Sequence, residues 1–141
     1  MKQSDGTERP AKFDNPLDTM LSGASRFAIE IVAWVAGPWA VADLTGTWLM
    51  TIPALAILVA LPGVFSTKGD KKHVVVAVPG RIRLLIEIIL AAVAIASAVL
   101  VWTVIGGIIV AVVAAVMFIA GAKRAKWLLS NDPPDWPLPS N

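Results

Sequence analysis

Residues 84–122 form an uninterrupted run of 39 residues in which the one charged side chain is Glu87. A single helix crosses the ~30 Å hydrocarbon core of a bilayer with about 20 apolar residues, so this run holds two helices. A water-soluble domain has no way to cover that much apolar surface. The rest of the chain agrees: of 141 residues, 57% are hydrophobic and 16% charged, and the mean hydropathy is +0.73. These values lie outside the range of ordinary soluble domains, and an integral membrane protein of one domain is expected.

Four spans fit the apolar blocks, at about 24–42, 47–66, 83–104 and 107–123. The fold class expected is an all-α membrane protein built as two helical hairpins. Asp43-Leu-Thr-Gly46 breaks the first pair of spans, and Gly106-Gly107 is the expected turn of the second. Thr47 is placed to cap the second span. Pro38, Pro53 and Pro62 in or near the first two spans remove backbone donors, which a membrane helix tolerates where neighbours satisfy the freed carbonyls. The domain organisation expected is a polar tail over 1–23, a four-helix domain over 24–125 and a Pro-rich tail over 126–141.

Orientation follows from the cations. All twelve Lys and Arg lie before or at the start of the first span, in the 67–83 connection, or at and beyond the end of the fourth span; neither hairpin loop carries one. The positive-inside rule then puts both termini and the 67–82 loop in the cytoplasm. Trp39, Trp48 and Trp102 fall at the outer interface and Trp127 at the inner one, as in an aromatic belt. The polar, acidic first twenty residues do not have the form of a cleaved secretory leader.

Two matched phrases open the outward-going spans: Arg26-Phe-Ala-Ile-Glu-Ile-Val32 and Arg83-Leu-Leu-Ile-Glu-Ile-Ile89. Together with the topology they suggest an internal repeat, two like-oriented hairpins about a pseudo-twofold axis along the membrane normal. Each glutamate lies four residues past its arginine, about 6 Å deeper by helix rise and within reach of it. Ala91, Ala94 and Ala98 share a face with Glu87, as Ala33 and Gly37 do with Glu30, so the first and third helices are expected to pack closely through small residues. Arg26, Glu30, Arg83 and Glu87 then form an intramembrane ionic cluster, paired within or across the repeats. Such a cluster suits an ionic clamp that fixes helix register. It also suits a proton or cation site, the general expectation for intramembrane acids.

Other chemistry is sparse. With no cysteine and one histidine, His73 in a basic loop, no metal site is expected, and no cofactor. No nucleophile elbow or phosphate loop is present, so an enzyme is not expected. Lys68, Lys71, Lys72 and Arg81 are expected to contact anionic lipid headgroups rather than nucleic acid. Val74–Val78 is expected to cover the underside of the bundle or dip into the interface. Asn15-Pro16-Leu-Asp18 has the form of a helix cap, and Phe13, Leu17, Met20 and Leu21 follow helical spacing. A brief interfacial helix and a mobile tail are both open there. Asp132–Pro139 is too rich in proline for a helix and is expected to be extended, as a disordered or loosely packed end, with a docking peptide as the alternative.

The motifs Arg26-Phe-x-x-Glu30 and Pro79-Gly-Arg-x-Arg83-Leu-Leu-x-Glu87 resemble the YrdB-like family of small bacterial membrane proteins, a family of unassigned function, over about residues 24–125. That resemblance implies a four-helix protein of the bacterial inner membrane. The N-terminal tail is longer than in that family, and the Pro-rich C-terminus has no counterpart in it. A non-catalytic accessory or scaffold component is therefore expected, acting by self-association or with other membrane proteins amid membrane lipids. The alternative is a small transporter or channel element that uses Glu30 and Glu87.

Overall fold

The structure, a computed structural model, describes residues 15, 17–67, 70 and 74–130. It is mostly helical. Helix α1 spans Met20–Thr45, a short 3-10 turn Trp48–Met50 leads into α2 (Thr51–Val64), and α3 (Gly80–Val101), α4 (Val104–Ala120) and α5 (Ala122–Leu129) follow. Helices α1 and α3 are each long and apolar enough to cross a membrane, and α4 with α5 makes a third candidate if that bent pair is one span.

Local chemistry sets the helix ends. The Thr19 hydroxyl accepts the Ser22 N–H at 3.0 Å and starts α1 ahead of the expected residue 24. At the other end Gly46 takes a left-handed conformation, φ 68°, which stops the helix. Asn15 caps a turn instead of a helix, its side-chain oxygen accepting the Leu17 N–H at 2.9 Å. Leu17 is thus outside α1, and no interfacial helix forms over the described residues before Met20; Phe13 lies outside the described residues.

The second hairpin turns at Trp102-Thr103, not at Gly106-Gly107. Thr103 caps α4, its hydroxyl accepting the Gly106 N–H at 3.1 Å. A cap with an extended backbone ends a helix pair more decisively than glycines inside an apolar run. Gly107 has a packing role instead: a Cβ there would lie 2.2 Å from Val99 Cγ2.

The core is formed by α1, α3 and α4, with Ile29, Ala33, Leu90, Ala91, Ala94, Ala98, Val110, Ala114 and Met117 buried. The small-residue seam expected between the first and third helices is present. Helix α2 leans mainly on α1, whereas α4 packs against both α1 and α3. The two hairpins are therefore not equivalent in packing, and the matched phrases do not extend to a symmetric bundle. At the α1–α2 contact, Pro62 has no N–H to give the Leu58 carbonyl four residues earlier. The Trp34 indole supplies one, donating to Leu58 O at 3.0 Å.

Two features differ from a simple hairpin pair. Phe65–Ser66 (β1) and Val76–Ala77 (β2) pair in parallel, which brings the start of α3 beside the end of α2. The Val78 N–H to Ser66 O bond of 2.9 Å and the Thr67 hydroxyl to Val78 O bond of 3.0 Å extend that pairing. The chain also continues past α4 into α5, bent by 65° from it and running across the expected start of the C-terminal tail at 126. Ala122–Leu129 consists of good helix formers, with Arg124, Trp127 and Leu128 at one-turn spacing on its buried face. Trp127 thus packs inward instead of standing in an exposed belt, while Trp39, Trp48 and Trp102 are exposed.

Candidate functional site

Five parts of the chain converge at the end of the bundle opposite the two hairpin turns. Helix α1 brings Arg26, α3 brings Arg83 and Glu87, and α5 brings Arg124. The β1–β2 loop brings Asp70, and the segment before α1 brings Asn15 and Asp18. Arg83, Glu87, Asp70, Arg124 and Asn15 are all buried.

Glu87 is the centre. Its Oε1 lies 2.9 Å from Arg124 Nη2 and 3.3 Å from both Arg26 Nε and Arg83 Nε, and its Oε2 accepts from Arg124 Nη1 at 3.1 Å. One carboxylate thus faces three guanidinium groups. The contacts with Arg26 and Arg83 are ionic; neither Nε has hydrogen-bond geometry to a partner. Arg124 binds two acids at once. Besides Glu87, it donates from Nε to Asp70 Oδ1 at 2.7 Å and from Nη2 to Asp70 Oδ2 at 2.5 Å. This two-pronged match is what the planar guanidinium offers and an ammonium does not.

Asp70 is also 3.8 Å from Arg83 Nε, and Asn15 Nδ2 donates to its Oδ1 at 3.3 Å. Burial alone would raise its carboxyl above the ordinary value of 3.8; the Arg124 bonds and charge, then Arg83 and Asn15, outweigh burial and hold it lower. Arg26 closes the outer side, with Nη1 and Nη2 on Asp18 Oδ2 and Oδ1 at 2.9 and 3.2 Å. Arg83 has a second duty: its Nη1 donates to the carbonyls of Pro62 and Phe65, both at 3.1 Å, and so caps the end of α2.

Close backbone packing holds the assembly shut. A Cβ on Gly80 would lie 1.9 Å from the Leu128 carbonyl oxygen, so only glycine lets α5 cross the start of α3 at this distance. At the α4–α5 bend, the Ser22 hydroxyl donates to Met117 O at 3.4 Å.

Of the four residues expected to cluster, Arg26, Arg83 and Glu87 meet directly, through one pair across the repeats and one within a repeat. Glu30 is half-buried in α1, and its charge acts on Arg83. Arg124, Asp70, Asp18 and Asn15 were not anticipated as members. Arg124 stood among topology-setting cations and Asp70 in a lysine-rich loop, both of which resemble solvated charge. Arg81 is exposed at the start of α3, whereas Lys68, Lys71, Lys72 and His73 lie outside the described residues.

Among the described residues, no three His, Cys, Asp or Glu are grouped to hold a metal ion. A lateral cavity of about 260 Å³ lies between α1 and α4, lined by Ile29, Val32, Trp102, Ile109 and Val113 among others, with no titratable group in it. Among the described residues, the polar chemistry gathers in the charge cluster. It binds five chain segments together and offers no nucleophile. The chain matches no protein-family model, no curated protein and no solved structure.

Proposed function

We propose that the chain is a non-catalytic multi-pass protein of the bacterial inner membrane, an accessory or scaffold component that works through a second copy of itself or through other membrane proteins. In this reading α1 to α4 are four passes, and both termini and the β1–β2 loop are cytoplasmic. The 3-10 turn with α2 rises about 27 Å and α4 about 26 Å. Both fall a few Å short of the ~30 Å core, a mismatch that local thinning of the bilayer absorbs. The inner-membrane seat follows the resemblance carried by Arg26–Glu30 and Pro79–Glu87.

The observation that carries the reading is that Glu87 and Asp70 are enclosed by guanidinium groups. An acid that must take up and release a cation needs an open coordination site, and Glu87 has three arginines at contact distance. A rigid ionic cap suits the other role, that of holding one end of a small bundle in a fixed shape for partners to recognise. Removing one partner of a buried pair is costly even where the pair adds little net stability, so such groups serve as register devices.

The test is extraction in mild detergent followed by mass determination and identification of co-purifying proteins. A self-associated species or a defined complex is expected, and recovery only as a free monomer would overturn the scaffold reading. Reconstituted Glu30→Gln and Glu87→Gln proteins that keep their assembly but change proton or cation flux would establish the transport alternative in its place.

A further inference from the structure

The fold sorts its charges at the clustered end. Arg26, Arg83 and Arg124 are turned inward onto Asp18, Asp70 and Glu87, three guanidiniums on three carboxylates. Among the described residues, the charge exposed there has one sign. Among the described residues at this end, the exposed charged side chains are Arg81, Lys123 and Lys126. Their elements adjoin, since α5 crosses the start of α3 at Gly80, next to Arg81.

Helix α5 has two faces. Arg124, Trp127 and Leu128 are buried on the bundle, while Lys123 and Lys126, one turn apart, stand on the outer side with the half-exposed Leu129. The helix begins directly after the apolar run ends at Ala122 and is bent by 65° from α4. Two ammonium groups are thus held at the level where α4 leaves its apolar stretch, which is where lipid phosphates lie.

We infer that the outer face of α5 is a docking surface for anionic phospholipid headgroups, and that lipid bound there holds the ionic cap closed. Lys123 and Lys126 make the contact, with Arg81 beside them. Arg124 lies between the two lysines in sequence and on the opposite side of the helix, so a force that seats α5 also seats Arg124 on Asp70 and Glu87. Lipid composition then sets how often the cap opens. The inference rests on the membrane seat proposed above, which resistance to alkaline extraction tests on its own. Extraction from membranes would remove that seat, whereas lipid insensitivity in a protein that resists extraction would remove only this inference.

The experiment is hydrogen–deuterium exchange of the full chain in nanodiscs of phosphatidylcholine alone and of phosphatidylcholine with phosphatidylglycerol. At ~1 kcal/mol per basic side chain near an anionic surface, protection of the α5 amides should rise about fivefold for each lysine engaged. The amides of 74–78 should follow, because Asp70 ties their loop to Arg124. The Lys123→Gln/Lys126→Gln protein should be folded in both discs and lose the difference. Equal protection of the unaltered chain in both discs would overturn the inference, as would a double variant that responds like the unaltered chain. Inorganic phosphate that reproduces the effect in zwitterionic discs would overturn the lipid as its source.

Discussion

The matched glutamates offer the sharpest test of the cluster. If the two phrases were equivalent, Glu30→Gln and Glu87→Gln would cost the same. The packing makes them unequal. Glu87 is buried with guanidinium nitrogens at 2.9 to 3.3 Å on its two oxygens. An amide there takes from Arg26, Arg83 and Arg124 the one carboxylate all three share, and leaves Asp18, Asp70 and, acting on Arg83, Glu30 to balance them. Removing one partner of a buried ion pair costs about 3–5 kcal/mol, and Glu87→Gln should fall in that range. Glu30 is only partly buried, at the edge of the cluster, so Glu30→Gln should cost less than Glu87→Gln, about 1 kcal/mol. The assay is reversible unfolding in mixed micelles by increasing fractions of a denaturing detergent, followed by tryptophan fluorescence. Two variants with equal losses would refute the asymmetric cluster and restore the symmetric reading of the repeats.

Two further outcomes are expected. Trp34→Phe removes the donor to the Leu58 carbonyl and should cost about 0.6–1.7 kcal/mol in the same assay; adding Pro62→Ala, which restores a backbone N–H for that carbonyl, should recover much of the loss. The Asp70 carboxyl is held below its ordinary 3.8, so its contribution to docking of the β1–β2 loop is fully present above that value and is lost as pH falls through the lower folded one. Exchange of the 74–78 amides should therefore stay slow down to about pH 4 and accelerate in stronger acid, and in Asp70→Asn the same amides should exchange rapidly at neutral pH as well.

How much of this could be read from residues alone depends on distance along the chain. Arg83 and Glu87 are one helical turn apart, and Ala91, Ala94 and Ala98 mark the face they share, so their meeting with Arg26 at the α1–α3 seam followed from helix geometry. Arg124 meets Glu87 across 37 residues and Asp70 across 54, and neither contact has a local pattern that announces it. The signal available was modest: Arg124 is flanked by lysines yet shares a face with Trp127 and Leu128, which is the spacing of an inward arginine. The hairpin turn was misplaced because glycines in an apolar run suggest a break, whereas Gly107 is there to admit Val99. The packing difference between the hairpins had no trace in the matched phrases, since it depends on α2 leaning on α1 and not on what opens α1 and α3.

The position of Arg124 also has a consequence for biogenesis. The chain emerges from its N-terminus, and Arg124 follows Glu87 by 37 residues. At the usual 5–20 residues per second this is a delay of roughly 2–7 s. For that interval the acid of α3 has only Arg26 and Arg83 beside it, and the loop carrying Asp70 has no arginine fork to close on. The nascent bundle thus passes through an unlocked stage, and the last of the described helices to be made is the one that completes the lock. A ribosome paused between Ala120 and Arg124 would hold the protein at that stage, with its apolar helices already synthesised and its charged end still accessible to insertion factors.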